Sequence, residues 1–239
     1  MDVTSHGGSD TDWMAIAQTS SNAVSGDCAR VVARTNGETL FFVGDVAGHD
    51  VRAGRLARQV DAFVTRWGPE ASPKTLLTRL NAVMVATWPS DLFVSAVCFS
   101  IDPANGRAVI AAAGQLPPVI KGVTSSSTVE VHVGLPLGIC AGHRYFERAL
   151  RLAAGDVLVA VTDGVTDPLA TGSDLLGLSE LSRLVDLAPP EPVRVCASLL
   201  RAVRRSGPAD DATVVAVAPG QREVAPCISA VRPGARLAA

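Results

Sequence analysis

Two apolar runs of strand length, Leu40-Phe41-Phe42-Val43 and Val157-Leu158-Val159-Ala160-Val161, each lead within two residues to an aspartate in a glycine-containing turn. Runs this apolar belong to buried strands. A carboxylate just past such a strand is costly to desolvate, so it needs a cation, hydrogen bonds or solvent. The chain must therefore build buried sheets that carry acid at their ends. The first acid is Asp45, in Gly44-Asp45-Val46-Ala47-Gly48-His49, and the second is Asp163, in Thr162-Asp163-Gly164-Val165-Thr166-Asp167. A third acidic cluster, Asp210-Asp211, stands just before the apolar segment 212–217.

The spacing between these points sets the fold class. Residues 38–44 read as a strand, and Leu56, Val60, Phe63 and Val64 give helical spacing over 51–67. Pro73 opens a second amphipathic helix through Leu76, Leu77, Leu80, Val83 and Met84, which closes before Pro89. Residues 92–101 and 107–113 read as a hairpin about the turn at 102–106, with further strands expected at 119–121, 129–133 and 145–152. The strand at 157–162 delivers Asp163, helices follow at 175–187 and 193–203, and a last strand spans 212–217. Strands and helices come in blocks, not in βαβ alternation, which favours an α+β layered fold with mostly antiparallel sheets.

The folded body is expected over residues 13–218, with a disordered N-terminus at 1–12 and a flexible tail at 219–239 that lacks periodic apolar spacing. With 48% hydrophobic residues, 239 residues suffice for one substantial core. A net charge of −2 leaves no electrostatic footprint for nucleic acid. No run approaches the roughly 20 apolar residues of a membrane span, and no secretory signal opens the chain, so a cytoplasmic location without membrane attachment is expected. Five widely separated cysteines, with no Cys-x-x-Cys, read as reduced packing thiols.

Hard divalent ions such as Mg2+ and Mn2+ take oxygen ligands, one or two carboxylates each. Two of them together can clamp a phosphoryl group and lower the pKa of an attacking water. Taken singly, an Asp beside a Gly is more often a turn former than a ligand. The joint order of the segments carries more weight. Phe42-Val43-Gly44-Asp45-Val46-Ala47-Gly48-His49, Ala113-Gly114-Gln115-Leu116-Pro117-Pro118, Gly134-Leu135-Pro136-Leu137-Gly138, Gly155-Asp156 through Thr162-Asp163-Gly164-Val165-Thr166-Asp167, and Asp210-Asp211-Ala212-Thr213-Val214 follow one another. Together they resemble the bacterial branch of the PPM family, the serine/threonine phosphatases of sporulation and stress signalling, over residues 20–218.

The resemblance implies a four-layer sandwich, two antiparallel β-sheets face to face with helices outside, and a centre holding two Mn2+ or Mg2+ ions. It implies that Asp45 bridges the two metals, that the Val46 carbonyl binds one of them, and that Asp163 and Asp210 hold the other. Asp211 falls where the wider family often has Asn and ranks second to Asp210. Asp27, in Ser25-Gly26-Asp27, matches the family's Gly-Gly-Asp segment, whose aspartate holds metal-bound water.

Several positions depart from the pattern. Arg30 replaces an acidic residue, Asp50 a small one, where its side chain suits the cap of the following helix, and Gln115 a histidine. His49 does not match the catalytic histidine of the eukaryotic branch, and a structural role is favoured for it, as for Asp167. Arg52 and Arg55, on a basic helix face with Arg58, are candidate contacts to a substrate phosphate, although a solvated face explains the same charges.

The leading expectation is hydrolysis of phosphoserine or phosphothreonine on a regulatory protein such as an anti-sigma-factor antagonist. One alternative is a non-catalytic module that keeps the fold to bind a phosphoprotein. Another is hydrolysis of a small phosphate ester, since the metal chemistry does not by itself choose a protein substrate.

Overall fold

The computed structural model describes residues 13–19, 25–48, 51–170, 177–206 and 211–219. Two sheets form the body. The first runs β1 (Met14–Thr19), β11 (Ala212–Val217), β10 (Val157–Val161), β6 (Val119–Lys121) and β7 (Ser126–Thr128). The second runs β2 (Asp27–Ala33), β3 (Thr39–Val46), β4 (Val94–Ile101), β5 (Arg107–Ala113) and β8 (Val133–Gly134), with β9 (Arg148–Arg151) also paired to β5. The pairings are antiparallel except β5 with β8, which run parallel through Ala112 and Val133.

The sheets stack because their strands are apolar on both faces. In β3, Phe41 and Val43 point between the sheets, where Phe41 stacks on Phe99 at 4.8 Å and meets Trp13 edge-on at 6.0 Å. Leu40 and Phe42, one residue out of phase, pack beneath α1 (Val51–Trp67) and α2 (Pro73–Thr87). The same alternation in β10 sends Leu158 and Ala160 inward, and Val159 and Val161 outward against α4 (Leu178–Leu187) and α5 (Pro192–Ser206). Period-two alternation therefore fills three apolar layers between four structural ones, helices, sheet, sheet and helices. This is the α+β sandwich that the block order and the family resemblance imply.

Some element boundaries differ from the sequence reading. No strand spans 129–133: Val129 instead buries its side chain between the sheets while its N–H donates to the Pro118 carbonyl at 2.8 Å. The pairing falls to the polar β7 before it and the two-residue β8 after it. The strand expected at 145–152 shortens to β9. The helix expected from 175 begins at Leu178, after Gly177 in the left-handed region with φ +61°, and residues 171–176 lie outside the described set. Strands β1 and β2 were not anticipated. The expected terminal segment 1–12 and all of the expected tail 219–239 except Pro219 also lie outside the described residues.

Cys28, Cys98 and Cys196 are buried free thiols and Cys140 is an exposed one; Cys227 is not among the described residues. Among the described residues no helix is long and apolar enough to cross a membrane.

The segment 134–138 is stitched into the second sheet and onto α2. Val94 and Leu137 exchange backbone hydrogen bonds of 3.0 and 2.8 Å. The buried Asn81 accepts from the Gly138 N–H and donates to the Cys140 carbonyl, both at 2.9 Å. Asn81→Leu would leave both backbone groups without these partners and should cost about 1–3 kcal/mol. A lower urea midpoint at unchanged slope checks it.

Candidate functional site

The site is built at one end of the sandwich by strand register. Asp27, the first residue of β2, lies directly opposite Asp45 near the end of β3, and Asp45 lies opposite Ser95 of β4. Like charges facing each other across a ladder are destabilising unless something compensates them.

Asp27 is held by the other sheet. Thr162, at the end of β10, donates its hydroxyl to Asp27 Oδ2 at 2.9 Å, and the Thr213 hydroxyl of β11 donates to the same oxygen. The two threonines are tied together, since the Thr213 N–H donates to Thr162 Oγ1 at 2.9 Å. Gln18 Nε2 donates to Thr213 Oγ1 at 3.0 Å, which directs the Thr213 hydroxyl proton toward Asp27. The other carboxylate oxygen, Asp27 Oδ1, is sealed from solvent without a hydrogen-bond partner. Burial pushes the Asp27 carboxyl up to about 7 against the pull of the two hydroxyls, and the charges of Asp211 and Asp163 add to the rise.

Asp163 comes from the first sheet. Strand β10 ends, Thr162 takes an extended conformation as N-cap, and Asp163 opens the short helix α3 (Asp163–Thr166) with its side chain exposed. Gly164 permits this turn: a Cβ there would sit 1.7 Å from the Asp211 carbonyl oxygen. Asp211 is itself buried, and its Oδ2 accepts the Gly26 N–H at 3.1 Å. Gly26 is as confined, because an added Cβ would lie 2.9 Å from Asp45 Oδ1, 3.0 Å from the Val46 carbonyl oxygen and 3.2 Å from that of Gly48. Three oxygens thus converge on a glycine that alone leaves them room.

A cleft of about 390 Å3 opens over this end, lined by Asp45, Phe93, Gln115, Pro136, Asp163 and Asp167 among others. Gln115 forms part of its floor and is 3% exposed. Its Oε1 accepts from Ser95 Oγ at 2.7 Å, and its Nε2 donates to the Val161 carbonyl at 2.7 Å. Behind Asp27 a second hollow of about 340 Å3 lies between β2 and α1, lined by Ser25, Asp27, Arg58 and Asp61 among others.

The structure brings Asp27, Asp45, Val46, Asp163 and Asp211 to one end of the sandwich. Asp210, His49 and Asp50 lie outside the described residues. Arg52 and Arg55 are exposed on α1 and do not line the cleft, and Arg52 pairs with the exposed Asp91 at 3.2 Å. Arg30, the departure from an acidic residue, makes a two-pronged ion pair with Asp61 of α1 and so clamps that helix to β2. Both side chains are about one-third exposed. Arg30→Ala should therefore cost less than about 1 kcal/mol of stability and leave the carboxylate cluster intact, as a urea titration would read.

Among the described residues no three Asp, Glu, His or Cys side chains form a complete cation site. The donors present nevertheless suit Mn2+ or Mg2+. They are all oxygens, they combine opposed carboxylates with the crowded Val46 and Gly48 carbonyls, and they include the orphaned buried Asp27 Oδ1.

The sequence reading missed Gln18, Ser95, Thr162 and Thr213. The only signal for the threonines is their adjacency to acids, Thr162 just before Asp163 and Thr213 two residues after Asp211.

The four-layer sandwich is a fold this chain shares with a solved PP2C phosphatase domain. Residues 35–219 match the model of the family Stage II sporulation protein E (SpoIIE), and the chain belongs to that family. It is similar to the structure of the RsbU and RsbW domains of Rv1364c from Mycobacterium tuberculosis, with a TM-score of 0.74 and 23% identity over 88% of this chain and 61% of that one. It is also similar to the PP2C phosphatase domain with a fragment of the regulatory domain of SpoIIE from Bacillus subtilis, with a TM-score of 0.75 and 20% identity over 86% and 62%. The chain thus spans less than two thirds of both. RsbX in complex with magnesium gives a TM-score of 0.66 at 13% identity, over 87% of this chain and 94% of that one. No curated protein sequence matches the chain.

Proposed function

We propose that this chain is a Mn2+- or Mg2+-dependent phosphatase that hydrolyses phosphoserine or phosphothreonine on a regulatory protein. The observation that carries the reading is the cross-strand pair Asp27–Asp45, whose Asp27 also feels the charges of Asp163 and Asp211 from the opposite sheet. So much acid at one partly desolvated end calls for cations, and membership of the SpoIIE family supports a phosphatase function.

Asp45, the Val46 carbonyl, Asp163 and Asp210 are the residues that would hold two ions, with Asp211 as a reserve carboxylate. When bound, such ions supply Lewis-acid stabilisation of a phosphoryl group and lower the pKa of water. The chain's own contribution is orientation. Thr162 and Thr213 occupy Asp27 Oδ2 and fix the plane of the carboxylate, with Oδ1 buried as the unused acceptor. Gly26 and Gly164 let backbone and carboxylate oxygens approach without side-chain interference. The exposed Asp163 and the open cleft admit a phosphate carried on a protein surface.

An anti-sigma-factor antagonist in its phosphorylated form is the substrate class proposed. The test is incubation of the chain and an Asp163→Asn variant with candidate phosphorylated regulators and Mn2+, read by phosphate release and by the mass of the regulator. Loss of the phosphate with the unaltered chain alone is the expected result. Equal activity in both proteins would sink the metal role of Asp163. Activity on small esters only would move the substrate class, and none on any phosphopeptide would favour a binding module.

A further inference from the structure

We infer that Gln115 is a positioning residue that sets the spacing between the two sheets at the acidic end and so controls how tightly the site holds a divalent cation. This rests on the metal-site reading above. The side chain is 3% exposed and both ends of its amide are already engaged within the protein. Its two amide ends reach different sheets, one to Ser95 of β4 and the other to the Val161 carbonyl at the end of β10, each at 2.7 Å.

Each anchor sits next to a carboxylate. Ser95 is the register partner of Asp45, and Val161 precedes Asp163 by two residues. The amide is thus a strap across the mouth of the sandwich, tied at the level of one acid on each sheet. The Thr162 and Thr213 hydroxyls tie the sheets through Asp27 of β2, whereas Gln115 reaches Ser95 of β4. Gln115 therefore joins the Asp45 side of the site to the Asp163 side.

Orientation is fixed along with distance. An amide has a donor end and an acceptor end. Val161 offers only a carbonyl, so Nε2 must face β10, and Oε1 must then take the Ser95 hydroxyl proton. That leaves the lone pairs of Ser95 Oγ facing away from Gln115, on a residue that lines the same cleft as Asp45. An apolar side chain of equal length would keep the packing and lose both ties.

The test compares the full chain with Gln115→Met by Mn2+ titration calorimetry, by far-UV circular dichroism, and by kcat and KM on p-nitrophenyl phosphate. The expected result is a folded variant whose Mn2+ affinity falls roughly tenfold to a hundredfold, the range seen when residues supporting metal ligands are removed. Its kcat at fixed subsaturating Mn2+ should fall while KM stays nearly constant, and excess Mn2+ should restore kcat. Unchanged Mn2+ affinity with lower metal-free stability would overturn the inference and leave Gln115 a packing strap. A chain that binds neither Mn2+ nor Mg2+ before any substitution would overturn the metal-site reading and this role with it. Should Gln115→Met not fold, Ser95→Ala cuts the strap at its other end and is held to the same outcomes.

Discussion

Asp45→Asn should abolish Mn2+-dependent hydrolysis of p-nitrophenyl phosphate, with kcat/KM falling roughly 1,000-fold. A divalent cation contributes several kcal/mol to a phosphoryl-transfer barrier, and each 1.4 kcal/mol is about a factor of ten. On the metal role proposed for it, loss of Asp45 should remove most of that contribution. It faces the cleft, it lies opposite Asp27 in register, and its Oδ1 shares the crowded space beside Gly26 with two carbonyl oxygens. The substitution also removes one of two opposed charges, so the metal-free protein should unfold at the same or a higher temperature than the unaltered chain. The rise in Tm that Mn2+ gives the unaltered chain should disappear in the variant. An Asp45→Asn protein that keeps its activity within about threefold would remove Asp45 from the metal site.

Among the described glycines, Gly164 is the one where an added methyl group meets backbone most closely, and Gly164→Ala should be strongly destabilising. Its Cβ would lie 1.7 Å from the Asp211 carbonyl oxygen, 2.7 Å from the carbonyl carbon and 3.3 Å from the Ala212 Cα. The obstacle is backbone on both sides, with no flexible side chain to swing away, so α3 or the start of β11 must shift. Overpacking of this kind costs 1–3 kcal/mol and sometimes more, and we expect about 3 kcal/mol. For a domain of this size that lowers Tm by about 6–12 °C. Activity should fall with it, because the shift carries Asp163 and Asp211. Gly37→Ala is the control: Gly37 has φ +86° but nothing within 4 Å of an added Cβ, so it pays backbone strain alone, about 1 kcal/mol. Equal effects of the two substitutions would refute the close approach at Gly164.

The parts of the fold legible in the sequence were those in which one signal acted alone. β3 and β10 declare themselves because both faces are buried, and α1 because its buried residues recur at helical spacing. β1 and β2 were missed for a physical reason. Met14–Thr19 and Asp27–Ala33 each bury only two residues, Ala15 and Ala17 in one and Cys28 and Val32 in the other, and β2 carries Asp27 and Arg30 for purposes other than packing. β7 has no fully buried residue at all, so only its pairing with β6 makes it a strand. Tertiary partners, not local pattern, decide such segments.

At the site, the acids were legible as ends of apolar strands, and Gln115 and Arg30 as departures. What those two do was not. Gln115 finds Val161 across 46 residues and Arg30 finds Asp61 across 31, and no local pattern encodes either meeting. The same holds for Thr162 and Thr213, whose hydroxyls meet on Asp27 at separations of 135 and 186 residues.

The pairing of β1 with β11 carries a consequence for the timing of synthesis. Among the described residues the strand Met14–Thr19 has no neighbour in its sheet other than Ala212–Val217, and Gly26 reaches Asp211 across 185 residues. A nascent chain that has emerged only as far as α5 holds Asp27 and Asp45 but lacks the strand bearing Thr213 and the carboxylate that binds Gly26. Contacts this distant form late. On the phosphatase reading proposed above, nascent chains should therefore be inactive until Val217 has emerged and paired with Met14.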